Sequence, residues 1–448
     1  MEIKQLYKLY QQHPCITTDS RECPEGSIFL ALKGESFNGN RFAVQALEKG
    51  CAYAIVDETP EDIPSALSER IIKVDNCLQT FKDLAREHRR QFDIPVIGIT
   101  GTNGKTTTKE LVAAVLSQKY NVLYTQGNFN NDVGVPKTLF RLTGEHDIAV
   151  IEMGASHPGD IKTLVETAEP TCGLITNVGR AHLQGFGSFE GVIKTKCELY
   201  DFLRTRQDGL IFINADNEHL MNQIGDDEEI WLTPYSTNPD NQYTCISGEV
   251  IECNPFLKFR WREPLMTREE EGRSTKWHKV QTKLIGAYNI DNLLAAISVG
   301  INFGVDRKKI CAALEEYTPQ NNRSQMTVTE KNHLIVDAYN ANPTSMQAAL
   351  ENFSMIQADR KMAILGQMGE LGADSESEHR KMVDYLKEAA YDEVWLVGDN
   401  FKDIDCPFRK FHDVEEVKAA IKSNCPEGYY ILIKGSNSNK LFQLPELL

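Results

Sequence analysis

The stretch "GITGTNGKTTTKE", residues 98–110, decides the fold. An apolar run, "IPVIGIT" (94–100), leads straight into it. "KTTTKELVAAVLSQ" (105–118) follows, with Leu111, Val112, Val115 and Leu116 at helical spacing. A glycine turn between a strand and a helix N-terminus aims consecutive backbone N–H groups at one point and makes an anion site. The glycines fall at Gly98, Gly101 and Gly104, and Ile99 occupies the slot where the usual phosphate-loop signature has its first glycine. Lys105 is then set against β/γ-phosphates, and the Thr106 hydroxyl is available to Mg²⁺. A glycine turn with an exposed lysine is the plainer alternative, and the strand–loop–helix context argues against it.

Outward from the loop, "IAVIEMG" (148–154), "CGLITNVG" (172–179) and "GLIFINADN" (209–217) read as further strands, most of them separated by helical segments. Such alternation implies a mainly parallel sheet with helices on both faces. Glu152 ends one of these strands, on the edge where open sheets bind ligands, and could share the Mg²⁺. A solvated strand-end glutamate is an equal reading of the residue alone. His182 and Lys196 by themselves carry still plainer readings. Residues 225–280 are polar and irregular in pattern.

Toward the N-terminus, "SIFLALKG" (27–34), "CAYAIVDE" (51–58) and "RIIKVDN" (70–76), with the helical "LQTFKDLAREHRRQF" (78–92), describe a small α/β unit. Beyond Pro319, "HLIVDAY", "MAILGQM", "EVWLVGD" and "YYILIKG" are four strands with helical runs between successive members, a doubly wound pattern. The expected architecture is α/β in three domains. Residues 1–92 form the small unit, 93–318 a central sheet of phosphate-loop type, and 319–448 a Rossmann-like sheet.

A chain of 448 residues with 41% hydrophobic and 25% charged residues has material for several cores. No apolar run reaches the ~18 residues of a membrane span, and "MEIKQLYKLYQQ" lacks a signal-peptide core. Membrane insertion and secretion therefore have little support, and a cytoplasmic protein is expected. The net charge of −16 argues against a nucleic-acid-binding surface but permits a local basic pocket. The 11 scattered cysteines, with no CxxC pair, read as free thiols.

Eight blocks then occur in order: the glycine loop, "GNFNNDVGVPKTL" (127–139), "IEMGASHPGDI" (151–161), "NVGRAHLQGFGSFEGVIKTKCEL" (177–199), "GAYNIDNLLAA" (286–296), "VDAYNANPTSM" (336–346), "LGQMGELG" (365–372) and "LIKGS" (432–436). Together they resemble the Mur ligases, ATP-dependent amide ligases of peptidoglycan precursor synthesis, over nearly the whole chain. The "YNANP" and "LGxMxELG" blocks are similar to those of the member that adds D-alanyl-D-alanine to a UDP-N-acetylmuramoyl-tripeptide through an acyl phosphate. The resemblance implies ATP and Mg²⁺, those two substrates, and a monomer. It places Gly101, Thr102, Asn103, Gly104, Lys105, Thr106 and Thr107 around the phosphates. Asn289 is implied at the adenine, with Arg323 and Asp337 as nucleotide contacts from the third domain.

The same resemblance assigns Thr106, Glu152, His182 and Lys196 to metal, with Lys196 carbamylated and Lys105, His182 and Lys196 catalytic. Asp19, Ser20 and Arg21 match the uridine site. Asn128, Asn130, Asn131 and Asp132 match the muramyl-peptide side, and Tyr339, Asn340 and Asn342 the incoming dipeptide. Pro343 is well placed to start a helix there. Two positions depart from the pattern: Ala338 stands where a second acidic residue and a serine are usual, and Asn437 where an arginine commonly follows "KGS".

Three other readings compete. The preceding ligase, which adds the third amino acid, usually carries a DxPR-type motif that is absent here. A folylpolyglutamate synthetase shares the glycine loop but has no need of the N-terminal unit. An inactive nucleotide-regulated binding protein would not need Lys105, Thr106, Glu152, His182 and Lys196 together.

Overall fold

The computed structural model describes residues 2–225, 230–241, 243–264, 276–319 and 323–448. Three larger sheets follow one another along the chain. The first has four parallel strands in the order Ile16–Thr17, Ile28–Leu30, Tyr53–Val56, Ile71–Lys73. Helices Ile3–Gln12, Ala43–Glu48 and Cys77–Arg89 accompany it. The edge strand at Ile16–Thr17 has only two residues and no apolar run, so its sequence gave no warning of it.

The second sheet has nine strands. Val96–Thr100 lies in its parallel part, between Cys172–Ile175 and Ile148–Glu152. Its alternating side chains serve two cores, as strand period dictates. Ile97 and Ile99 join Leu111, Val112 and Val115 of helix Lys105–Leu116 and Leu293 and Ile297 of helix Asn289–Asn302 on one face. Val96 faces the other side, where Ile151, Val165, Leu199 and Leu203 pack. Helices Asp160–Ala168 and Phe189–Arg204 cover that face.

The stretch 225–280 corrects the sequence reading. It supplies Trp231–Ser236, Ile246–Cys253, Phe256–Arg262 and the start of His278–Ile285, the last two antiparallel to their neighbours. The signal was present in "FLKFRWR", where Leu257, Phe259 and Trp261 point inward and lysine and arginine alternate with them. Charged residues on the outer face masked that period of two. Residues 226–229, 242 and 265–275 of this stretch lie outside the described residues.

The third sheet has six strands in the order Gln325–Val328, His333–Asp337, Tyr430–Lys434, Lys361–Gly366, Glu393–Val397, Arg409–Phe411. The four inner strands are those expected. The two edges are additions, and Gln325–Val328 runs antiparallel. Strand His333–Asp337 leads through a turn into helix Pro343–Met355, with Asn342 and Ser345 forming a reciprocal cap and Pro343 at the first helical position. All eleven cysteines are free thiols, and among the described residues no helix is long and apolar enough to cross a membrane.

Trp261 is fully buried in the extension that the sequence hid. Trp261→Ala is expected to cost about 3–5 kcal/mol, as large-to-small changes in packed cores do. Denaturant unfolding checks this, and an unchanged midpoint would contradict its place in the core.

Candidate functional site

The phosphate loop is shaped by what surrounds it. Gly101 has φ +144, and a Cβ there would lie 2.0 Å from Thr176 Oγ1 and 3.0 Å from Thr176 N. Gly104 has φ +78, and its Cβ would meet Asn292 Oδ1 at 2.5 Å. Both conformation and space demand glycine. The end of the neighbouring strand pins the loop from below: Thr102 N donates to Asn177 O (2.9 Å), Asn103 N to Asn177 Oδ1 (3.0 Å), and Thr176 Oγ1 to Asn103 O (2.6 Å). From the side, Asn292 accepts from Thr108 Oγ1 at 2.9 Å and donates to Asn289 Oδ1 at 2.9 Å.

The loop opens onto a cavity of about 750 Å³ whose wall comes from the second and third sheets together. Thr102, Asn103, Gly104, Lys105, Thr106, Thr107, Glu152, His182 and Asn289 line it from the second. Asn130, Asn131 and Asp132 line it from the loop before helix Gly134–Leu139, and Arg323, Asp337, Tyr339 and Asn340 from the third sheet. Gly101 of the loop and Lys196 are not among the lining residues. Asn128 is not part of it, although Asn130 N donates to Asn128 O at 2.7 Å.

The Asn342 side chain caps its helix through Ser345 N (2.9 Å) and donates to Asn103 Oδ1 (2.8 Å). It bridges the two sheets and does not face the cavity. Asp19, Ser20 and Arg21 stand apart on the first sheet. Arg21 there forms a two-pronged pair with Asp19 at 2.9 and 2.6 Å, which holds the Asp19 carboxyl well below the usual range.

Inside the cavity the charges are arranged with care for burial. Glu152 is 1% exposed, so the solvated reading fails. Its Oε1 accepts from Thr106 Oγ1 (3.1 Å) and Asn130 Nδ2 (2.8 Å), while Oε2 has no partner among the described residues. Thr125 Oγ1 accepts from Glu152 N at 3.0 Å and fixes the strand end. Lys105 Nζ folds back onto Gly101 O (2.9 Å) and Thr102 O (3.0 Å). Burial lowers its pKa to about 8, with Glu152 opposing and Arg323 adding to the shift. Arg323 lies over the Tyr339 ring at 4.1 Å, and Asp337 pairs with the buried Lys434 at 2.5 Å.

Lys196 is 2% exposed, not on a half-solvated face. Its Nζ contacts Ala155 O at 3.4 Å and stands 5.3 Å from the Phe186 ring centroid. Burial, reinforced by Lys105, pushes its pKa well down against the pull of Asp160 and Glu198. Glu198 itself is occupied by Gly159 N (2.9 Å) and Lys162 N (2.7 Å) at the start of helix Asp160–Ala168. His182 is also depressed, first by burial, with Glu370 pulling up and Lys105 and Lys196 pushing down.

Several wall residues escaped the sequence reading although their motifs were quoted, among them Asn177, Asp291, Asn292, Thr344, Ser345 and Lys434. Lys82, from helix Cys77–Arg89, carried no signal at all. Burial raises the Asp291 carboxyl to about 6, with Asp216 adding to the effect. The two departures from the family pattern are both accommodated. Ala338 is buried in the third core, and Asn437 N donates to Tyr339 O at 2.9 Å, tying together the two turns at the strand ends.

A glycine loop, a buried carboxylate at the neighbouring strand end and cations from a second doubly wound sheet define a phosphate-loop protein with one cavity shared between two sheets. Family models agree over most of the chain. The Mur ligase catalytic-domain model matches residues 14–89, the middle-domain model 99–300 and the glutamate ligase domain model 322–437. The chain belongs to the Mur ligase family.

The UDP-N-acetylmuramoyl-tripeptide–D-alanyl-D-alanine ligase of Escherichia coli (strain K12) is 38% identical over 86% of this chain and 81% of its own. The enzyme of the same name from Bacillus subtilis (strain 168) is 31% identical over 96% of this chain and 92% of its own. A crystal structure of MurF from Acinetobacter baumannii matches with a TM-score of 0.86 and 28% identity, covering 99% of this chain and 97% of that one.

Gly101→Ala is expected to displace the loop from Thr176 and weaken ADP binding by at least about tenfold, the loss of one charge-assisted contact or more. Calorimetric titration with ADP measures this; wild-type affinity would contradict the close approach.

Proposed function

We propose that this chain is an ATP-dependent peptide ligase that joins D-alanyl-D-alanine to a UDP-N-acetylmuramoyl-tripeptide, giving ADP and phosphate, in peptidoglycan precursor synthesis. The observation that carries the reading is a phosphate loop and third-sheet side chains lining one cavity, in a chain that aligns along most of its length with ligases of that name. Residues 1–92 hold the uridine end through Asp19, Ser20 and Arg21. Residues 93–318 hold ATP, and 319–448 complete the nucleotide site and receive the dipeptide.

The chemistry follows from the electrophile. A carboxylate is a poor one, and transfer of the γ-phosphoryl group to the tripeptide's terminal carboxylate oxygen gives an acyl phosphate with a good leaving group. The dipeptide amine then attacks the carbonyl carbon, loses a proton, and the tetrahedral intermediate expels inorganic phosphate. Catalysis is mostly positioning and neutralisation of charge. Lys105 leaves its own loop carbonyls for the transferring phosphate. Arg323 adds a second positive charge from the third sheet, and Asn130, Asn131 and Asp132 orient the muramyl peptide. Tyr339 and Asn340 face the dipeptide.

Mg²⁺ fits this donor set. Among the described residues no cluster of three or more His, Cys, Asp or Glu forms a metal cage, so phosphate oxygens would complete the shell, as is usual for Mg²⁺. Thr106 and the free Oε2 of Glu152 would hold one ion, and His182 with Lys196 the other. Bound there, the ions would neutralise phosphate charge. A lysine ammonium repels such an ion, whereas a carbamate replaces +1 by −1 and supplies hard oxygens. Carbamylation needs the neutral amine, and burial favours that form of Lys196. The reading takes the protein as a monomer. Nucleotide substrates suit the cytoplasm.

Lys105→Ala is expected to lower turnover by about 10²–10³ while leaving UDP-substrate affinity intact. Phosphate release dependent on both substrates tests the reading, and turnover within about twofold of wild type would remove Lys105 from the phosphates. Lys196→Ala should be nearly inactive and regain activity with added formate or acetate. A fully active variant defeats the carbamate.

A further inference from the structure

Helix Pro343–Met355 of the third sheet begins against the phosphate loop of the second, and its cap fixes which atoms meet there. Asn342 Oδ1 accepts from Ser345 N at 2.9 Å. A backbone N–H is always a donor, so the atom it meets is the amide oxygen, and the amide nitrogen is left to point away from the helix. That Nδ2 donates to Asn103 Oδ1 at 2.8 Å. Asn342 is 4% exposed, so the bond is made out of water. Beside it, Thr102 Oγ1 accepts from Gly179 N at 2.9 Å, and a Cβ on Gly179 would lie 3.1 Å from Thr344 Oγ1. The start of the helix thus reaches Asn103 directly and Thr102 through the Gly179 backbone.

Asn103 is held differently at its backbone and at its side chain. Its N–H and carbonyl are pinned from beneath by Asn177 and Thr176, at the end of the neighbouring strand. Among the described residues its side chain bonds only Asn342, at 2.8 Å through Oδ1 and at 3.5 Å through Nδ2. Asn103 lines the cavity, so a loop residue on the ligand wall takes its side-chain orientation from the third sheet alone. We propose that Asn342 is a positioning residue: one of its amide atoms caps its own helix, and the other sets the Asn103 side chain and so tightens phosphate binding without touching the phosphate. An unheld asparagine side chain samples several rotamers, and fixing it beforehand removes that ordering cost from ligand binding. The proposal rests on the proposed function only for the reading of the glycine loop as the phosphate site.

Two variants of the full chain separate the bridge from the cap. Serine and aspartate cap a helix about as well as asparagine. Serine is too short to reach Asn103, and an aspartate carboxylate has no hydrogen to donate. Asn342→Ser and Asn342→Asp are therefore expected to melt near the wild-type temperature. By calorimetric titration they are expected to bind ADP about two- to tenfold more weakly, the worth of one hydrogen bond. Asn103→Ala should lose at least as much, and Asn103→Ala/Asn342→Ser no more than Asn103→Ala alone, because the two side chains act through one bond. Wild-type ADP affinity in both Asn342 variants, or losses that multiply in the double variant, would overturn the proposal. So would a raised KM for the dipeptide with ADP affinity unchanged, since that result returns Asn342 to the dipeptide. Wild type that binds no ADP defeats the phosphate-loop reading itself. Wild type that binds ADP but shows no turnover needing both substrates defeats the ligase reading, and the affinities still decide the role of Asn342.

Discussion

The loop from Gly101 to Gly104 has no slack, and the rest of the molecule depends on that fit. Thr176 fills the space beside Gly101, and Asn292 fills the space beside Gly104. Thr176 closes a strand of the parallel sheet, whereas Asn292 belongs to a helix some 190 residues further along the chain. The shape of the phosphate site is therefore set by the packing of helix Asn289–Asn302 against helix Lys105–Leu116, with Leu293 and Ile297 meeting Val112 and Val115 in one core. A shift in that core would be felt at the loop, because packed interiors transmit displacement.

Around this loop the protein places cations and carboxylates close together. Lys105, Lys196 and Arg323 converge, and Glu152 is the buried carboxylate nearest to the loop helix through Thr106. A buried ammonium is unfavourable unless it is paired and hydrogen-bonded. Both lysines respond by losing proton affinity. The chain as a whole is strongly acidic, and the cations that line this cavity stand among carboxylates.

The contact between second and third sheets has two parts. Asn103 with Asn342, Arg180 with Glu378 and His182 with Glu370 are polar pairs beside or on the cavity wall, and away from them Ile285 and Phe256 of the second sheet pack into the core of the third.

Much of this was legible in residue order alone. The glycine loop between an apolar strand and a helical pattern announced a phosphate site, and "HLIVD", "MAILG", "EVWLV" and "YILIK" announced the third sheet, because buried parallel strands are continuous apolar runs. Lys105, Thr106, Glu152 and Asp337 lie in the quoted motifs and Arg323 is implied by the family resemblance, and the fold brings all five to one cavity. The antiparallel extension was obscured because its outer face is charged, and the two-residue edge strand because it has no pattern to read.

What tertiary structure alone decided is burial and pairing. "IKTKCE" does not say that Lys196 faces inward while Glu198 caps a distant helix. "MGELG" does not say that Glu370 will meet His182 across two sheets. Local sequence fixes backbone preference and the period of apolar residues. Which charged side chain loses its water depends on what the rest of the chain packs against it, and that is a property of the whole fold.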